Sequence, residues 1–332
     1  MSDLHAGVRV YGSSGGFLFQ IGRIGGGPFE YRREPGSIAI LPDGHLWIVS
    51  FRDKLLRADP TIDDVAASLE EVPLDRVEEW LTSGPLALDA AGMLVASGFE
   101  LAERHRYRTR VSLRDGRSVS KTNPWALEPT PEEMGWRLSP KLSRAELAEA
   151  EEWNAMGYLY GLSGPPPYGT DQLMAFSTDG RVALAVTTTY RVDIYDSLLR
   201  PVTVIERDEQ GPRLTNAERR NTSAHMAQSR REEEYYPYVD SDIPDRKPPL
   251  RGLWFDRDGR LWIERYLANE PEQRGANVYG VDGDHLFSTE WPRGVDFGLG
   301  AIRGDTGLGI QTDALGIQRV VRVRFGAEET GP

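Results

Sequence analysis

The chain has 332 residues and no cysteine, which excludes disulfides, thiolate catalysis and cysteine-ligated zinc. Its 51 acidic and 39 basic residues give a formal net charge of −12, the opposite of the clustered positive charge that binds nucleic acids. No apolar run approaches the roughly 18 residues that a membrane helix needs. The opening segment MSDLHAGVRVYG lacks the basic and apolar regions of a signal peptide. We therefore expect no nucleic-acid partner and no membrane span.

The first glycine-rich segment, GRIGGGPFEY (22–31), has the composition of a phosphate-binding loop. Such a loop needs a strand before it and a helix N-terminus directly after it. Here the segment contains Pro28 and is followed by Pro35 and a new apolar strand pattern, so no helix can begin at this point. We interpret the segment as a connection between strands and expect no nucleotide cofactor.

One pattern recurs along the chain: an apolar run, an Asp-Gly-type turn and a second apolar run, which together predict a hairpin of two short buried strands. The copies span residues 36–51, 84–99, 173–189, 250–266 and 299–313, with turn glycines Gly44, Gly92, Gly180, Gly259 and Gly304. The first and last intervals between these glycines match the roughly 40–50 residues of one four-stranded propeller blade. The two middle intervals are almost twice as long and predict either a blade with an insertion or two blades.

The two ends of the chain carry complementary parts of a blade. VRVYGSSGGFLFQIG (8–22) has the pattern of an outer hairpin without its inner pair, and RVVRVRF (319–325) ends a blade at its third strand. An N-terminal strand that completes the last blade would close the ring and remove its open edges. We therefore predict a single β-propeller domain over residues 1–332.

Several of these segments resemble a known family. GRIGGGPFEY, LPDGHLWIV, YRVDIYD, LRGLWFDRDGRLWIERY and TDALGIQRVVRVRF are similar to the bacterial six-bladed β-propeller proteins of the NHL-like type, over most of 8–325 except roughly 120–170. The resemblance implies an all-β fold, a six-bladed β-propeller. It also implies an exported protein, whereas the opening segment shows no signal peptide, so localisation stays open. Gly27-Pro28-Phe29-Glu30 departs from the family's G-P-G-E loop, and the fold does not specify a function.

The first of two insertions, at about 118–170, interrupts the blade pattern. Within it, Ser143 as N-cap and Glu146 three residues later predict a helix that runs to about Met156. Such an insertion either covers the edge or face of a blade or forms a lid over the axial channel, where small ligands bind in a roofed pocket. Both interpretations stay open.

The second insertion, at about 214–249, begins with the capping-box pair Thr215 and Glu218 and predicts a helix to about Glu234. An aromatic turn then carries three tyrosines, and prolines return the chain to the strand that contains Arg251. If this insertion is a lid, the tyrosines are flat, apolar walls with polar tips, suited to an aryl or sugar ligand. The predicted ligand-binding tyrosines are Tyr235, Tyr236 and Tyr238.

More distantly, the chain is similar to gluconolactonase-type and paraoxonase-type propellers, and this resemblance implies a calcium ion at the propeller axis. Calcium takes about six to eight oxygen ligands. Counting back from each turn glycine places Gly36, Gly84, Gln172 and Arg251 at the axial positions. Only Gln172 supplies an oxygen there, so the ring of ligands that the resemblance implies is not matched. We expect Ca²⁺ or another divalent cation only at an atypical site, with ligands from Glu34, Asp171 and Asp296.

Four residues are candidates for catalysis: Glu34, Asp171, Arg251 and His225. Glu34 or Asp171 would be a metal ligand or a general base, and His225 lies on the predicted lid helix. Arg251 would bind a carboxylate or phosphoryl oxygen with its planar guanidinium. The alternative is a structural salt bridge between Arg251 and Asp296 or Glu264.

Two functions follow from this pattern. In the first, the protein is a hydrolase that acts on small lactones, aryl esters or phosphotriesters in an axial pocket, with a divalent cation polarising the substrate. In the second, it is a non-catalytic scaffold that binds a protein or glycan on one face of the propeller. The long insertions favour a pocket with a small-molecule ligand, and the unmatched calcium ring favours the scaffold. The oligomeric state is not predicted.

Overall fold

The computed structural model describes residues 2–3, 7–11, 16–23, 30, 35–50, 54–61, 65–72, 79–81, 86–100, 105–113, 118–127, 166–232, 238–268, 273–313 and 316–325. Within these residues the chain is mostly β-strand, with one α-helix, α1 (Asn216–Glu232), and three short 3₁₀ helices. The 3₁₀ helices are Val65–Ser68, Pro124–Leu127 and Asp240–Asp242. Across the same ranges, no helix has the length and apolar character to cross a bilayer.

The strands form consecutive antiparallel sheets. The first sheet contains β1 (Ser2–Asp3), β2 (Gly7–Tyr11) and β3 (Phe17–Ile21). The second contains β4 (Pro35–Ile40), β5 (Leu46–Ser50), β6 (Lys54–Ala58) and β7 (Glu70–Val72). The third contains β8 (Glu79–Leu81), β9 (Ala87–Leu88), β10 (Leu94–Glu100), β11 (His105–Val111) and β12 (Ser118–Thr122).

The second half of the chain continues in the same way. The fourth sheet contains β13 (Gln172–Phe176), β14 (Val182–Val186), β15 (Arg191–Tyr195) and β16 (Pro201–Glu206). The fifth contains β17 (Leu250–Phe255), β18 (Leu261–Arg265), β19 (Gln273–Tyr279) and β20 (His285–Pro292). The sixth contains β21 (Val295–Arg303), β22 (Thr306–Thr312) and β23 (Gln318–Arg324).

Apolar cores join most of the sheets to the next one in chain order. One core joins β4–β7 to β8–β12, another joins β13–β16 to β17–β20, and a third joins β17–β20 to β21–β23. Between β8–β12 and β13–β16, the Leu88 N–H donates to the Thr178 carbonyl at 2.7 Å. The Arg108 guanidinium there lies 4.6 Å from the ring centroid of Phe176. Up-and-down sheets that each pack on the next define a β-propeller.

Over the residues that the structure describes, the propeller has five blades, so the expectation of six is wrong. We number blades one to five as β4–β7, β8–β12, β13–β16, β17–β20 and β21–β23. Each recurring Asp-Gly-type turn belongs to one blade, and the interval from Gly180 to Gly259 holds one blade and the insertion that contains α1. For this interval the sequence had allowed two blades, and the structure shows one blade with an insertion.

The N-terminal sheet β1–β3 does not complete the last blade. Within the described ranges its strands pair with each other and not with β21–β23. Val8 and Ile21 instead share a buried core with Leu46 and Ile48 of blade one. The chain start therefore packs on the beginning of the propeller, where the sequence predicted a strand for its end.

The predicted turn glycines all adopt a left-handed conformation that other residues rarely adopt. Their φ angles are +81°, +71°, +91°, +77° and +58° for Gly44, Gly92, Gly180, Gly259 and Gly304. In blade four the Gly259 N–H donates to the Asp256 carbonyl at 3.1 Å and closes the turn. The hairpins predicted from the repeated pattern are confirmed.

The second predicted helix is α1. The Thr215 N–H donates to Glu218 Oε2 at 2.8 Å, and the Glu218 N–H donates to Thr215 Oγ1 at 3.2 Å, as a capping box requires. The helix packs through Met226 on Tyr238 and Ile243, and these form a small core of their own. The first predicted helix, from Ser143 to Met156, lies outside the described residues.

Candidate functional site

The candidate site lies at the end of the blades where the innermost strands begin, which we call the upper face. Asp171 directly precedes β13 in blade three, and Arg251 is the second residue of β17 in blade four. Thr187 connects the two strand starts: its N–H donates to the Asp171 carbonyl at 2.8 Å, and its carbonyl accepts the Leu250 N–H at 3.4 Å. Asp171, Gln172 and Arg251, all predicted from the sequence, therefore lie at one end of neighbouring inner strands.

Arg251 is the extra residue of a β-bulge. Leu250 pairs with Arg265 and Gly252 pairs with Glu264, so Arg251 has no opposite residue in the β17–β18 ladder. A bulge breaks the alternation of side chains and directs one of them away from its regular face. Blade one has the same irregularity at Gly36, between Pro35 and Ser37. The axial positions counted from the turns are therefore irregular in these two blades.

The guanidinium of Arg251 lies between a carboxylate and an aromatic ring. Its Nε is 3.4 Å from Glu264 Oε1, and its Cζ is 5.3 Å from the ring centroid of Tyr266. The Arg251 side chain is 22% exposed, whereas the Glu264 side chain is only 5% exposed. Of the two salt-bridge partners proposed from the sequence, Glu264 is the one that Arg251 contacts.

Glu264 also holds Arg274 in a bidentate pair. Arg274 Nε donates to Glu264 Oε1 at 2.7 Å, and an Arg274 Nη donates to Oε2 at 3.1 Å. The other Nη of Arg274 pairs with Asp296 on the next blade. Burial lowers the pKa of Arg274, but the hydrogen bonds and charges of Glu264 and Asp296 outweigh it, so this pKa lies above its ordinary value. The result is a chain of alternating charges across the upper face.

A buried lysine fixes the second insertion to this face. Lys247 Nζ is 2.6 Å from Glu218 Oε1, and the Lys247 side chain is 1% exposed. The ammonium lies 5.8 Å and 5.7 Å from the ring centroids of Tyr168 and Tyr266. The two rings meet edge to face at 5.6 Å. Tyr266 therefore contacts both Lys247 and Arg251, and it joins the α1 insertion to the candidate site.

The remaining predicted residues have other surroundings. His225 is exposed on α1. Tyr238 is 2% exposed and packs on Met226 and Ile243, so its ring forms part of the insertion's core rather than an open wall. Three predicted residues lie outside the described ranges: Glu34, Tyr235 and Tyr236.

The two predicted cation ligands that the structure describes, Asp171 and Asp296, have protein partners. Asp171 Oδ1 accepts the Gln172 N–H at 2.8 Å, and Asp296 pairs with Arg274. In the part of the chain that the structure describes, no three His, Asp or Glu side chains converge as a metal site. These residues do not fit the calcium site that the resemblance implied.

Sequence reasoning missed Glu264, Arg274, Lys247, Tyr168 and Tyr266 as members of the site. One feature of the sequence indicated Glu264. This carboxylate directly follows three apolar residues in LWIER (261–265), and it was one of the two salt-bridge partners considered for Arg251. Lys247 carried no signal, since only its contacts with residues distant in sequence show that it is buried.

No protein-family model and no curated protein matches the chain. Among solved structures, the Cps50 (Swd1) β-propeller domain of Myceliophteria thermophila is 11% identical, with 99% of this chain and 83% of that chain covered and a TM-score of 0.39. Regucalcin from Agrobacterium tumefaciens C58, a calcium-binding protein, is 12% identical, with 82% and 66% covered and a TM-score of 0.30. Streptogramin B lyase is 10% identical, with 89% and 70% covered and a TM-score of 0.30.

The chain spans less than two thirds of two of the similar solved structures. It covers 66% of regucalcin and 46% of a quinonprotein alcohol dehydrogenase-like protein from Bacteroides thetaiotaomicron VPI-5482. The order of the sheets places the protein in the class of β-propellers.

Proposed function

We propose that the protein is a hydrolase that binds a small lactone, aryl ester or phosphotriester at the upper face. The observation that supports this proposal is the bulged, partly exposed Arg251 at the start of an innermost strand, held between Glu264 and Tyr266. A guanidinium has five N–H donors, more than one carboxylate can accept. In this proposal Arg251 donates to a carbonyl or phosphoryl oxygen of the substrate while it pairs with Glu264.

Each group has a role in this proposal. Arg251 stabilises the negative charge that develops on the carbonyl or phosphoryl oxygen, and Glu264 fixes its orientation. Tyr266 offers an aromatic wall for the ring or leaving group of the substrate. Asp171, at the start of the neighbouring inner strand, is the proposed base that activates water. Because the described residues do not fit a calcium site, no step is assigned to a metal.

The test is a hydrolysis assay with a panel of lactones, aryl esters and phosphotriesters. We expect Arg251→Met to lower kcat/KM by about 100-fold or more, as for loss of one oxyanion donor, and Arg251→Lys to restore only part of the activity. Arg191, an exposed arginine of blade three that pairs with Asp193, gives the matched control Arg191→Met, which should leave turnover unchanged. Equal activity in Arg251→Met and wild type would contradict the proposal. The same assay with added calcium, and with a chelator, tests separately whether turnover depends on a divalent cation.

The alternative, a non-catalytic scaffold for a protein or glycan, is supported by a different observation. Strands β22 and β23 of blade five expose Leu308, Ile310 and Val320 at 54%, 41% and 65%. Exposed apolar side chains on one sheet are typical of an interaction surface. Absence of turnover on the whole panel, together with binding of a partner that Leu308→Ser weakens, would favour the scaffold over the hydrolase.

A further inference from the structure

Blade five has an open strand edge. Over the residues that the structure describes, it contains three strands, whereas blades one, three and four contain four each. Its outermost strand, β23, pairs with β22 and, within those ranges, with no other strand. An unpaired strand edge presents a row of backbone donors and acceptors to which another strand can add. The edge of β23 is therefore a candidate binding surface.

The hydrogen bonds of blade five show which backbone groups of β23 point to this edge. The N–H of Phe325, directly after β23, donates to the Asp305 carbonyl at 2.7 Å, and this pair continues the β22–β23 register. Because bonded and non-bonded pairs alternate along an antiparallel ladder, every second residue back from Phe325 bonds to β22. The residues between them turn their N–H and C=O groups to the open edge: Val320, Arg322 and Arg324.

The open edge adjoins a cleft of about 970 Å³, which runs along β20 of blade four and reaches Asp305 and Phe325 of blade five. Phe287 of β20 lines the cleft and contacts the Trp262 ring, as Phe325 does, with centroid distances of 5.9 Å and 4.9 Å. Thr289, two positions further along, shares the face of β20 that is turned to blade five. A strand added to β23 lies opposite this face, because it takes in blade five the position that β20 has in blade four.

The two faces of β23 differ in chemistry. Val321 and Val323 pack into the core shared with blade four, on the side of the cleft. Arg322 and Arg324 are exposed on the other side. Side chains of neighbouring strands stand on the same two faces of a sheet. An added strand therefore places one set of side chains against Phe287 and the alternate set beside the arginines.

The charge of β23 selects the partner. Arg322 is exposed and lies opposite Leu308 of β22 rather than opposite an acidic residue. Arg324 pairs with Asp305 at 2.7 Å but keeps 80% of its side chain exposed. Two copies of β23 joined edge to edge would bring their arginines close together, and like charges on paired strands are destabilising. An acidic strand instead forms ion pairs with these arginines.

From this geometry we infer that the edge of β23 binds an extended, acidic peptide segment of a partner protein, which adds to blade five as a fourth strand. Its backbone pairs with Val320, Arg322 and Arg324. Alternate residues of the peptide are apolar and lie in the cleft against Phe287, and the residues between them are acidic and pair with the arginines. This surface is separate from Arg251, which lies on the innermost strand β17 of blade four, so the inference does not depend on the hydrolase proposal.

The test uses two capped peptides that differ only in the sign of their charges, EVEVEVE and KVKVKVK, added to the full chain. Calorimetry measures the affinity, and hydrogen exchange followed by NMR measures the protection of single amides. We expect EVEVEVE to bind at least about tenfold more tightly than KVKVKVK. It should slow exchange at the amides of Val320, Arg322 and Arg324 and leave the amides of β16, the outer strand of blade three, unchanged.

Two variants separate the charge of the edge from its backbone. Arg322→Glu should weaken EVEVEVE at least about tenfold and strengthen KVKVKVK. Val320→Pro removes one outward N–H, a change that an open edge tolerates, and should weaken EVEVEVE about fivefold or more. The control Arg220→Glu makes the same change of charge at an exposed position of α1 and should leave both affinities unchanged.

Four results would each overturn the proposal. Three concern the peptides: no binding of EVEVEVE to the wild type, equal affinity for the two peptides, or binding without protection of the edge amides. The fourth is a concentration-dependent dimer of the wild type in sedimentation, with the same amides protected before any peptide is added, since a second copy of the chain then occupies the edge.

Discussion

Asp256 illustrates how single side chains hold the blade turns. It is 1% exposed, and its Oδ1 accepts the N–H groups of Asp258 and Arg260, each at 2.9 Å. Its Oδ2 accepts Trp262 Nε1 at 2.8 Å and Arg260 Nε at 2.6 Å. One carboxylate therefore closes the turn, anchors a core tryptophan and neutralises an arginine.

We predict that Asp256→Ala lowers the free energy of unfolding by about 3–5 kcal/mol, because it leaves the Trp262 N–H and the Arg260 charge without their buried partner. Urea unfolding measures this change. Asp196 makes the same contacts with the Leu198 and Arg200 N–H groups and the Arg200 guanidinium, but in an exposed turn of blade three. Asp196→Ala should cost only about 1 kcal/mol, and equal losses in the two variants would contradict the argument.

At the scale of the element, α1 depends on one buried ion pair as well as on its capping box. Glu218 takes part in both, since it caps the helix at Thr215 and pairs with Lys247. The amphipathic packing of α1 is limited to a small core around Met226. The ion pair is therefore a main contact between the helix and the upper face.

We predict that Lys247→Met lowers the free energy of unfolding by about 3 kcal/mol, since it removes the partner of a largely buried carboxylate. Arg220→Met, at an exposed position of the same helix, is the control and should change stability by less than about 0.5 kcal/mol. Hydrogen exchange on α1 would show faster opening in Lys247→Met alone. Unchanged exchange there would mean that other contacts hold the helix.

The same pair makes stability depend on pH. Burial raises the pKa of Glu218, but hydrogen bonds from Lys247 and Thr215 outweigh it, so the pKa in the folded protein lies below its ordinary value of 4.5. A carboxyl with a depressed pKa stabilises the fold fully above its unfolded-state pKa and loses this contribution as the pH falls through the folded value. The stability difference between wild type and Glu218→Gln should therefore be largest near neutral pH and shrink below about pH 4.5. A constant difference would refute the assignment.

Elements were predictable from the sequence where they depend on residues close together in the chain. The cap of α1 is a contact between residues three apart, and a turn glycine needs only its own φ angle. The bulge at Arg251 was not predictable, because it depends on the register between β17 and β18 and leaves the Asp-Gly-type turn unchanged. The pairing of Glu264 with Arg274 was hidden for the same reason, since it joins two different strands.

At the scale of the whole molecule, the blade count could not be derived from interval length. A long interval has room for a second blade or for an insertion, and both leave the turn glycines at the same positions. The closure of the ring was predicted from two incomplete ends, but the N-terminal sheet packs on blade one through Val8 and Ile21. The number of strands missing at each end of the chain therefore predicts the position of the N-terminal sheet less well than the apolar residues that this sheet buries.

Because each blade packs mainly on its neighbours, we expect a destabilising substitution in one core to affect mainly the two blades that share this core. Ile263 is fully buried in the core between blades three and four. We predict that Ile263→Ala lowers the free energy of unfolding by about 2–4 kcal/mol and speeds amide exchange in blades three and four more than in blade one. Val204→Ala, at a 46% exposed position of an outer strand, should do neither. Uniform acceleration over all blades would indicate one global unfolding unit.

The bulge at the start of an inner strand has a consequence for the diversification of this protein. A residue outside the ladder has no cross-strand partner, so its replacement does not disturb the pairing of the strand. Blade four places an arginine at this position, and blade one places Gly36 there. Substitutions at these two positions therefore change the chemistry of the upper face while the sheets retain their register. Ligand preference in such a propeller can therefore evolve at single positions, without a change in how its strands pair.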